Sequence, residues 1–322
     1  MSLPYYSLST YMRQQYGCRV QKIPLDAGFS CPNRDGTIST DGCVFCNPEG
    51  SGSGMLRNGF CLSEQWSRWK ARLKKKYKAE LFWAYLQSYT NTYGPVERIR
   101  EVLDEISGLE GLAGLCLGTR PDCLDRDKLD LIAAFPSSEI WLEIGMQTSA
   151  DRTLKLINRG HNFQILKTAV EEASRRKIKV CLHLILGLPG ENRKDFFRTV
   201  ESVNSLPVRG VKFHNLYVCR HTALARWFRE GTYQPISRND YIDWLIRGLR
   251  RLRPDIVVQR LNGDPRPGEL LAPAWAAEKS LLLRDIRIRL EEKGWWQGQE
   301  FVSRTHPPAW FAPDSEIPPQ LR

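Results

Sequence analysis

The runs Ile140-Trp-Leu-Glu-Ile-Gly-Met146 and Val180-Cys-Leu-His-Leu-Ile-Leu186 decide the fold class. Each is a short apolar run of strand length, and the residues between them have the periodicity of amphipathic helices. A strand, a helical crossover and a second strand that is apolar on both faces are typical of a buried parallel sheet. The two runs therefore predict a β/α unit of an α/β protein.

The same alternation extends toward both ends of the chain. The sequence predicts six strands, which are Val20–Leu25, Leu81–Gln87, Leu112–Leu117, Ile140–Met146, Val180–Leu186 and Val211–Val218. Because crossovers between parallel strands are right-handed, six such units are expected to curl into an open, partial (β/α)6 TIM-like barrel. The chemistry of such a barrel lies at the carboxyl ends of its strands.

Four segments are predicted along the chain. They are an N-terminal lead-in over 1–18, the partial barrel over 19–220, a mainly helical C-terminal extension over 221–304 and a proline-rich tail over 305–322. The extension contains one short predicted strand, Asp255–Arg260. No internal repeat is visible other than the β/α rhythm.

Composition restricts the location and the partner. The 322 residues include nine cysteines and no secretory leader, which favours a reducing compartment over a disulfide framework. No apolar run approaches the length of a membrane span, so we expect a cytoplasmic protein with no membrane partner. The formal net charge of +11 favours a polyanionic partner such as nucleic acid.

Three cysteines form the strongest chemical signal. Cys43 and Cys46 form a C-x2-C pair, and eleven residues separate Cys31 from Cys43. Clustered thiolates in a reducing compartment bind soft metals or iron–sulfur clusters. A cubane cluster held by three cysteines leaves one iron open to a substrate or cofactor, whereas structural zinc sites are closed by four ligands.

Two alternatives to a three-cysteine cluster stay open. The first is a zinc site with Cys61, fifteen residues after Cys46, as its fourth ligand. The second is a set of buried thiols that lie close together by chance.

A basic helix is predicted after the cysteines, from Ser63 to about Glu80. No acidic residue lies between Gln65 and Ala79, and the basic residues are Arg68, Lys70, Arg72, Lys74, Lys75, Lys76 and Lys78. This pattern is typical either of a solvated helix face or of a surface that contacts phosphates.

Polar residues and glycines recur where the predicted strands end, which is where a barrel builds its site. These candidate residues are Gln87, Tyr89, Thr90, Asn91, Thr92, Thr119, Arg120, Glu143, Gln147, His183, Gly187 and Gly190, together with Leu186 at the end of the fifth strand and Arg159 after the helix that follows the fourth. Each has a structural alternative: Glu143 as half of an ion pair, His183 as a core histidine, Gly187 and Gly190 as turn residues.

These motifs together resemble the radical S-adenosylmethionine (SAM) superfamily. The resemblance rests on the cysteine loop and on the segments Gly118–Asp122, Glu143–Thr148, Arg159–His161 and Gly187–Glu191, which fall in order along about residues 18–220. The spacing of the first two cysteines departs from the common C-x3-C-x2-C motif. It is similar to the branch that contains the catalytic subunit of Elongator, which acts on wobble uridine of tRNA, and to a stand-alone bacterial family.

The resemblance implies the cofactors and their ligands. Cys31, Cys43 and Cys46 would hold a [4Fe–4S] cluster, and SAM would bind its open iron and be cleaved reductively to a 5′-deoxyadenosyl radical. The segment 87–92 would contact the methionine amino group of SAM, Glu143 its ribose and Arg159 its carboxylate, while 186–190 would flank the adenine. Thr119, Arg120, Gln147 and His183 complete the predicted cofactor site.

The resemblance also implies a substrate and partners. We expect a radical SAM enzyme that modifies tRNA, at a wobble uridine, with an electron donor such as flavodoxin or ferredoxin. Two alternatives remain, a radical SAM enzyme acting on a small metabolite or peptide, and a non-catalytic zinc or cluster protein that binds RNA.

Overall fold

The α/β class and the parallel partial barrel predicted from the sequence are confirmed. The computed structural model describes residues 3–47, 50, 52, 54–301 and 308–311. The strands in these residues are β1 (Val20–Leu25), β2 (Leu81–Leu86), β3 (Leu112–Thr119), β4 (Ile140–Gln147), β5 (Lys179–Leu186), β6 (Gly210–Asn215), β7 (Val218–Cys219), β8 (Val257–Arg260) and β9 (Leu270–Ala272). The α-helices are α1 (Leu8–Tyr16), α2 (Leu62–Tyr77), α3 (Val96–Ser107), α4 (Arg126–Ala133), α5 (Asp151–Leu156), α6 (Phe163–Arg175), α7 (Arg193–Asn204), α8 (Ala223–Arg229), α9 (Arg238–Arg251) and α10 (Lys279–Glu292).

Helix α3 shows why these segments fold as helices against a sheet. Its buried residues Ile99, Val102, Leu103 and Ile106 follow the spacing of one helix face. Pro95 occupies the N-cap position, where its missing N–H costs nothing. The buried stripe packs into the main hydrophobic core, which lies between the helices and the sheet.

The main sheet is parallel and has seven strands in the order β1-β2-β3-β4-β5-β6-β8. It forms the curled partial barrel that was predicted, with one strand more than expected. The added strand, β8, comes from the extension over 221–304 and pairs with β6 through Val257 and Val258. The short strand predicted in the extension therefore belongs to the barrel sheet, which its buried valines complete.

The last strand predicted for the barrel, Val211–Val218, is divided in the structure. Strand β6 ends at Asn215, whose side-chain Oδ1 accepts a hydrogen bond of 2.8 Å from the backbone N–H of Gly263. The chain then turns, and β7 pairs antiparallel with β9 in a separate two-stranded sheet. Three apolar residues, Leu216 to Val218, directly follow Asn215 and concealed this break in the sequence.

The two edge strands of the barrel are joined by side chains and by the N-terminal segment. Lys22 on β1 donates a hydrogen bond of 2.7 Å from Nζ to Oε1 of Gln259 on β8. Val258 donates its backbone N–H to the carbonyl of Tyr6, so the N-terminal segment covers the free edge of β8. Covering an exposed edge in this way prevents pairing with other chains.

Helix α1 closes the amino-terminal end of the barrel. Tyr11 packs edge-to-face against Trp83 and Trp141, and its hydroxyl donates to the buried carboxylate of Glu139. The lead-in predicted over 1–18 thus contains a helix that packs under the sheet. With this end closed, the space inside the barrel opens toward the carboxyl ends of the strands.

Little of the predicted proline-rich tail falls within the described residues. Residues 308–311 include a 3₁₀ turn in which Trp310 stacks on Tyr6 and donates to the carbonyl of Pro254. The rest of the tail lies outside the described residues. In the part of the chain that is described, no helix is long and apolar enough to cross a bilayer.

Candidate active site

The three cysteines lie around one cavity at the carboxyl end of the sheet. Cys31, Cys43 and Cys46 line a cavity of 570 Å³. The loop that carries them is fixed by backbone hydrogen bonds from Val44 to Ile157 and from Leu224 to Val44. Because these bonds tie the loop to the segments after β4 and β7, the thiols are held over the end of the barrel.

Three arginines surround the thiols. Arg159 places Nη1 at 3.4 Å from the Sγ of Cys43, and Arg34 donates to the carbonyls of Cys46 and Asn47. Arg120 is buried, paired with Asp122 and bonded to the carbonyl of Arg159. We call the three cysteines and the three arginines the cysteine wall.

The cysteine wall fits an anionic cluster bound through thiolates. Nε of Arg159 and Nη1 of Arg120 are buried and have no hydrogen-bond partner among the described residues. Burial and then Cys43 raise the pKa of the Cys46 thiol, while Arg34 acts in the opposite direction. Guanidinium groups beside thiols that lose their protons on binding iron would offset the negative charge of the thiolates.

The geometry does not support a zinc ion held by four cysteines. Cys61 is exposed at the N-cap of α2 and is not among the residues that line the cavity. Among the described residues, no three His, Cys, Asp or Glu side chains converge on a point where one ion could sit. A cubane cluster does not need such convergence, because each thiolate binds a different iron.

A bulge at the end of β4 positions Arg159. The pairing of β4 with β5 shifts register between Gly145 and Gln147, and Gln147 adopts a left-handed φ of 68°. The Nη2 of Arg159 donates a hydrogen bond of 2.8 Å to the carbonyl of Gly145. A Cβ at Gly145 would lie 2.4 Å from that nitrogen, so a larger residue there would displace the Arg159 guanidinium.

Glu143 is the centre of a buried charge network below the cavity. Its Oε1 accepts a hydrogen bond of 2.6 Å from Lys22 of β1, and its Oε2 accepts from Lys212 of β6 and, at 3.0 Å, from His183 of β5. Lys212 also contacts the hydroxyl of Tyr85 at 3.2 Å. Side chains from β1, β5 and β6 therefore meet at the carboxylate that β4 carries.

The network sets the protonation states of its members. Burial alone would raise the pKa of Glu143, but Lys212, Lys22 and His183 hold it well below the usual range. Burial lowers the pKa of His183 to about 4, and the positive charge of Lys212 acts in the same direction. Near neutral pH His183 is therefore uncharged and donates its Nε2–H to the Glu143 carboxylate.

The structure brings nine of the predicted cofactor residues to the cavity. They are Gln87, Tyr89, Thr90, Thr119, Arg120, Glu143, Gln147, Arg159 and His183, all of which line it together with the three cysteines. Their individual roles toward SAM remain predictions.

Five other predicted cofactor residues do not line this cavity. Asn91 donates to the carbonyls of Leu86 and Gly118, and the hydroxyl of Thr92 bonds Thr119 and the carbonyl of Cys123. Their side chains tie β2 to the loop after β3, which is why they point away from the cavity opening.

The turn after β5 accounts for the remaining three. Leu186 is buried in the core, while Gly187 and Gly190 line a separate surface cavity next to Tyr233 and Ile236. The hydroxyl of Tyr233 donates to the carbonyl of Gly187, so this turn is held against the extension. A Cβ at Gly187 would lie 2.8 Å from Ile236.

Sequence reasoning missed the part of the site that comes from the extension. Arg260, Gly263, Asp264, Arg266 and Glu269 all line the main cavity, and they lie on β8 or in the loop after it. The signal was present, because a short apolar strand is followed by a Gly/Pro-rich polar segment, as at the other strand ends. Because the predicted barrel ended at residue 220, the loop after β8 was not expected to reach the cavity.

Comparison with known proteins identifies the class. The family profile described as "Radical SAM superfamily" matches residues 34–203, and the profile "Radical_SAM C-terminal domain" matches residues 208–292. The first match covers more than half of the chain. The chain belongs to the radical SAM superfamily, and its cofactors are a [4Fe–4S] cluster and SAM.

Two individual relatives and one solved structure are similar to this chain. YtqA of Bacillus subtilis (strain 168) is 36% identical over 298 residues, which cover 92% of each chain. The tRNA uridine(34) acetyltransferase of Dehalococcoides mccartyi is 29% identical over 147 residues, or 45% of this chain and 31% of that protein. The structure of Elp3 from the archaeon Methanocaldococcus infernus superposes with a TM-score of 0.68 at 16% identity, over 86% of this chain and 64% of that one. At that identity the superposition supports the fold alone.

Proposed function

We propose that this radical SAM enzyme modifies tRNA and acts on a uridine at the wobble position. The observation that carries the proposal is a surface on α2, which we call the basic face. It consists of exposed cations that form no ion pair with any described carboxylate, and these are Arg68, Arg72, Lys74, Lys75, Lys76 and Lys78. Unpaired cations along one helix are the usual contact for a nucleic-acid backbone.

The basic face reaches the cavity that holds the cysteines. Trp69, on the same helix, lines that cavity, and the guanidinium of Arg72 lies 5.2 Å from the centroid of the Trp69 ring. Arg68 stacks at 3.9 Å over Phe60. An RNA backbone along this helix would bring a nucleobase to the cavity opening, where aromatic rings offer a stacking surface. The matching region of the D. mccartyi tRNA uridine(34) acetyltransferase supports tRNA as the substrate.

The side chains that line the cavity would have different roles in binding the cluster and SAM. When bound, the cluster and SAM supply a reductively generated 5′-deoxyadenosyl radical that removes a hydrogen atom from the substrate, with the electron coming from a donor such as flavodoxin or ferredoxin. Cys31, Cys43 and Cys46 would hold the cluster, and Arg159 and Arg120 would offset its charge. Gln87, Tyr89 and Thr90 would orient the methionine end of SAM, as the resemblance implies.

Analysis of tRNA nucleosides tests the substrate. We expect the anaerobically reconstituted protein, given SAM, dithionite and tRNA, to form 5′-deoxyadenosine and to change one uridine-derived nucleoside detected by mass spectrometry. The Cys43→Ala variant should do neither. If SAM is cleaved while every tRNA nucleoside stays the same, tRNA is not the substrate.

Salt dependence tests the basic face. The triple variant Arg68→Gln, Arg72→Gln and Lys75→Gln removes three cations from one side of α2. We expect the slope of log affinity for tRNA against log salt to fall by about 2, at roughly 0.7–0.9 per phosphate contact. A matched control removes two arginines and one lysine that are exposed at the amino-terminal end of the barrel: Arg175→Gln, Lys177→Gln and Arg209→Gln. Equal slopes in the two triple variants would reject the basic face as the RNA contact.

A further inference from the structure

One arginine of the main cavity has no partner. Arg260, at the end of β8, is partly buried, and its guanidinium makes no hydrogen bond, ion pair or ring contact with any described residue. It pairs in register with Lys212 of β6, so the two cations lie on neighbouring strands. A partly buried guanidinium without an acceptor is costly unless something else supplies one.

Positive charge exceeds negative charge around this arginine. Lys22, Lys212 and Arg260 share a single carboxylate, Glu143, which is already bonded to both lysines. Consistent with this excess, the pKa of Lys212 is lowered to about 8: burial lowers it most, Glu143 opposes this, and Lys22 and Arg260 act in the same direction as burial.

The other two carboxylates of the cavity are engaged elsewhere. Asp264 forms an ion pair of 2.6 Å with Lys279. Glu269 accepts hydrogen bonds from Asn47 and from the thiol of Cys219. Neither is within ion-pair distance of Arg260, so no described carboxylate forms an ion pair with this arginine.

A second cavity shares part of its lining with the first. Its volume is 200 Å³, and His183, His214 and Tyr217 line both cavities. Asn215, which is 2% exposed, lines the smaller one; Gly263 fixes its Oδ1, and its Nδ2 has no partner among the described residues. The Nε2 of His214 also has no partner there. At about 30 Å³ per water molecule, this space would hold about seven waters or one small polar group.

We infer that Arg260 and His214, which line the main cavity, and Asn215, which lines the smaller cavity that shares His214 with it, form a binding site for an oxyanion of the substrate, a carboxylate or a phosphate group. We call these three residues with Lys212 the β8 wall. The guanidinium would supply the charge, and the Nδ2 of Asn215 would donate a neutral hydrogen bond that fixes the group's orientation. The inference goes beyond the proposed function, because the site would bind an anionic group whether or not the substrate is tRNA. Anion binding is measured without RNA, so a negative result would not contradict the tRNA proposal.

Calorimetric titration of small anions tests the site. The protein is reconstituted with its cluster and saturated with SAM, and acetate and inorganic phosphate are titrated separately at constant ionic strength. We expect saturable binding of at least one probe, at least tenfold weaker in Arg260→Gln and within threefold of wild type in Arg260→Lys. The control Arg229→Gln removes an exposed arginine at the end of α8 and should change nothing. Binding of acetate alone identifies a carboxylate, and binding of phosphate alone identifies a phosphate.

Thermal unfolding of the same variants separates binding from a structural role. Because Arg260 adds an unneutralised charge next to Lys212, its replacement by Gln should leave the Tm unchanged or raise it. A fall in Tm would show that the arginine supports the fold and would overturn the assignment. Absence of saturable binding in wild type, or equal binding in wild type and Arg260→Gln, would overturn it as well.

Discussion

Arg260 and His214 of the β8 wall line the same cavity as the cysteine wall, but the two walls carry their charge differently. On the cysteine wall, cations lie against groups that become anions: Arg159 is 3.4 Å from the thiol of Cys43, and Arg120 is paired with Asp122. On the β8 wall, Arg260 and Lys212 lie side by side and only Glu143 opposes them. The first wall has a charge that suits the cofactors of the superfamily, and the second has an excess that suits an anionic substrate.

The largest expected effect is the loss of metal from the cysteine wall. We expect Cys43→Ala to bind less than about one iron per chain after anaerobic reconstitution, against roughly four in wild type, because two thiolates cannot hold a site-differentiated cubane. Iron content and the cluster absorbance measure the difference.

Cys61→Ala is the matched control for this loss. Cys61 is exposed and does not line the cavity, so its replacement should leave the iron content unchanged. Release of zinc or iron from Cys61→Ala would mean that four cysteines hold the metal and that Cys61 is one of its ligands.

Removal of the shared carboxylate should have the next largest effect. Glu143→Gln leaves Lys22 and Lys212 buried without a counter-charge, and breaking a buried ion pair on one side costs about 3–5 kcal/mol. Urea unfolding of the two proteins measures the change in the free energy of unfolding. The control Glu101→Gln breaks an exposed pair with Arg98 and should cost less than about 1 kcal/mol. A similar small cost for both variants would show that the lysines are solvated.

How far the sequence predicts each wall depends on sequence distance. The cysteine wall was predictable because Cys31, Cys43 and Cys46 are close in sequence and their spacing is chemically specific. Glu143 meets Lys22 across 121 residues and Lys212 across 69 residues, so no local pattern indicates that the three side chains touch. Glu143 lines the cavity, but its partners could be identified only from the folded sheet.

The order of strands and helices followed from local patterns, and the edges of the sheet did not. Apolar runs and helix caps such as Asp125, which accepts from the backbone N–H of Lys128, define the elements locally. Strand β8 has only four residues, and its place beside β6 depends on a long-range pairing of Val257 and Val258. The same pairing carries Arg260 to the cavity, which is why Arg260 was missing from the sequence-based site.

The smallest of these effects is a dependence of stability on pH that originates at His183. The pKa of His183 is about 4 in the folded protein and near 6.5 when unfolded, so the unfolded state binds more protons between these values. Stability from this group is therefore present above pH 6.5 and is lost as the pH falls toward 4. Between pH 7.5 and pH 5.0 we expect wild type to lose about 2 kcal/mol more than His183→Gln, which cannot be protonated. Urea unfolding at both pH values measures the difference, and His221→Gln, at an exposed histidine, should behave as wild type. Equal losses of stability in wild type and His183→Gln would mean that the imidazole binds its proton as readily in the folded as in the unfolded protein. At pH 5.0 it would then add a further positive charge beside Lys212 and Arg260.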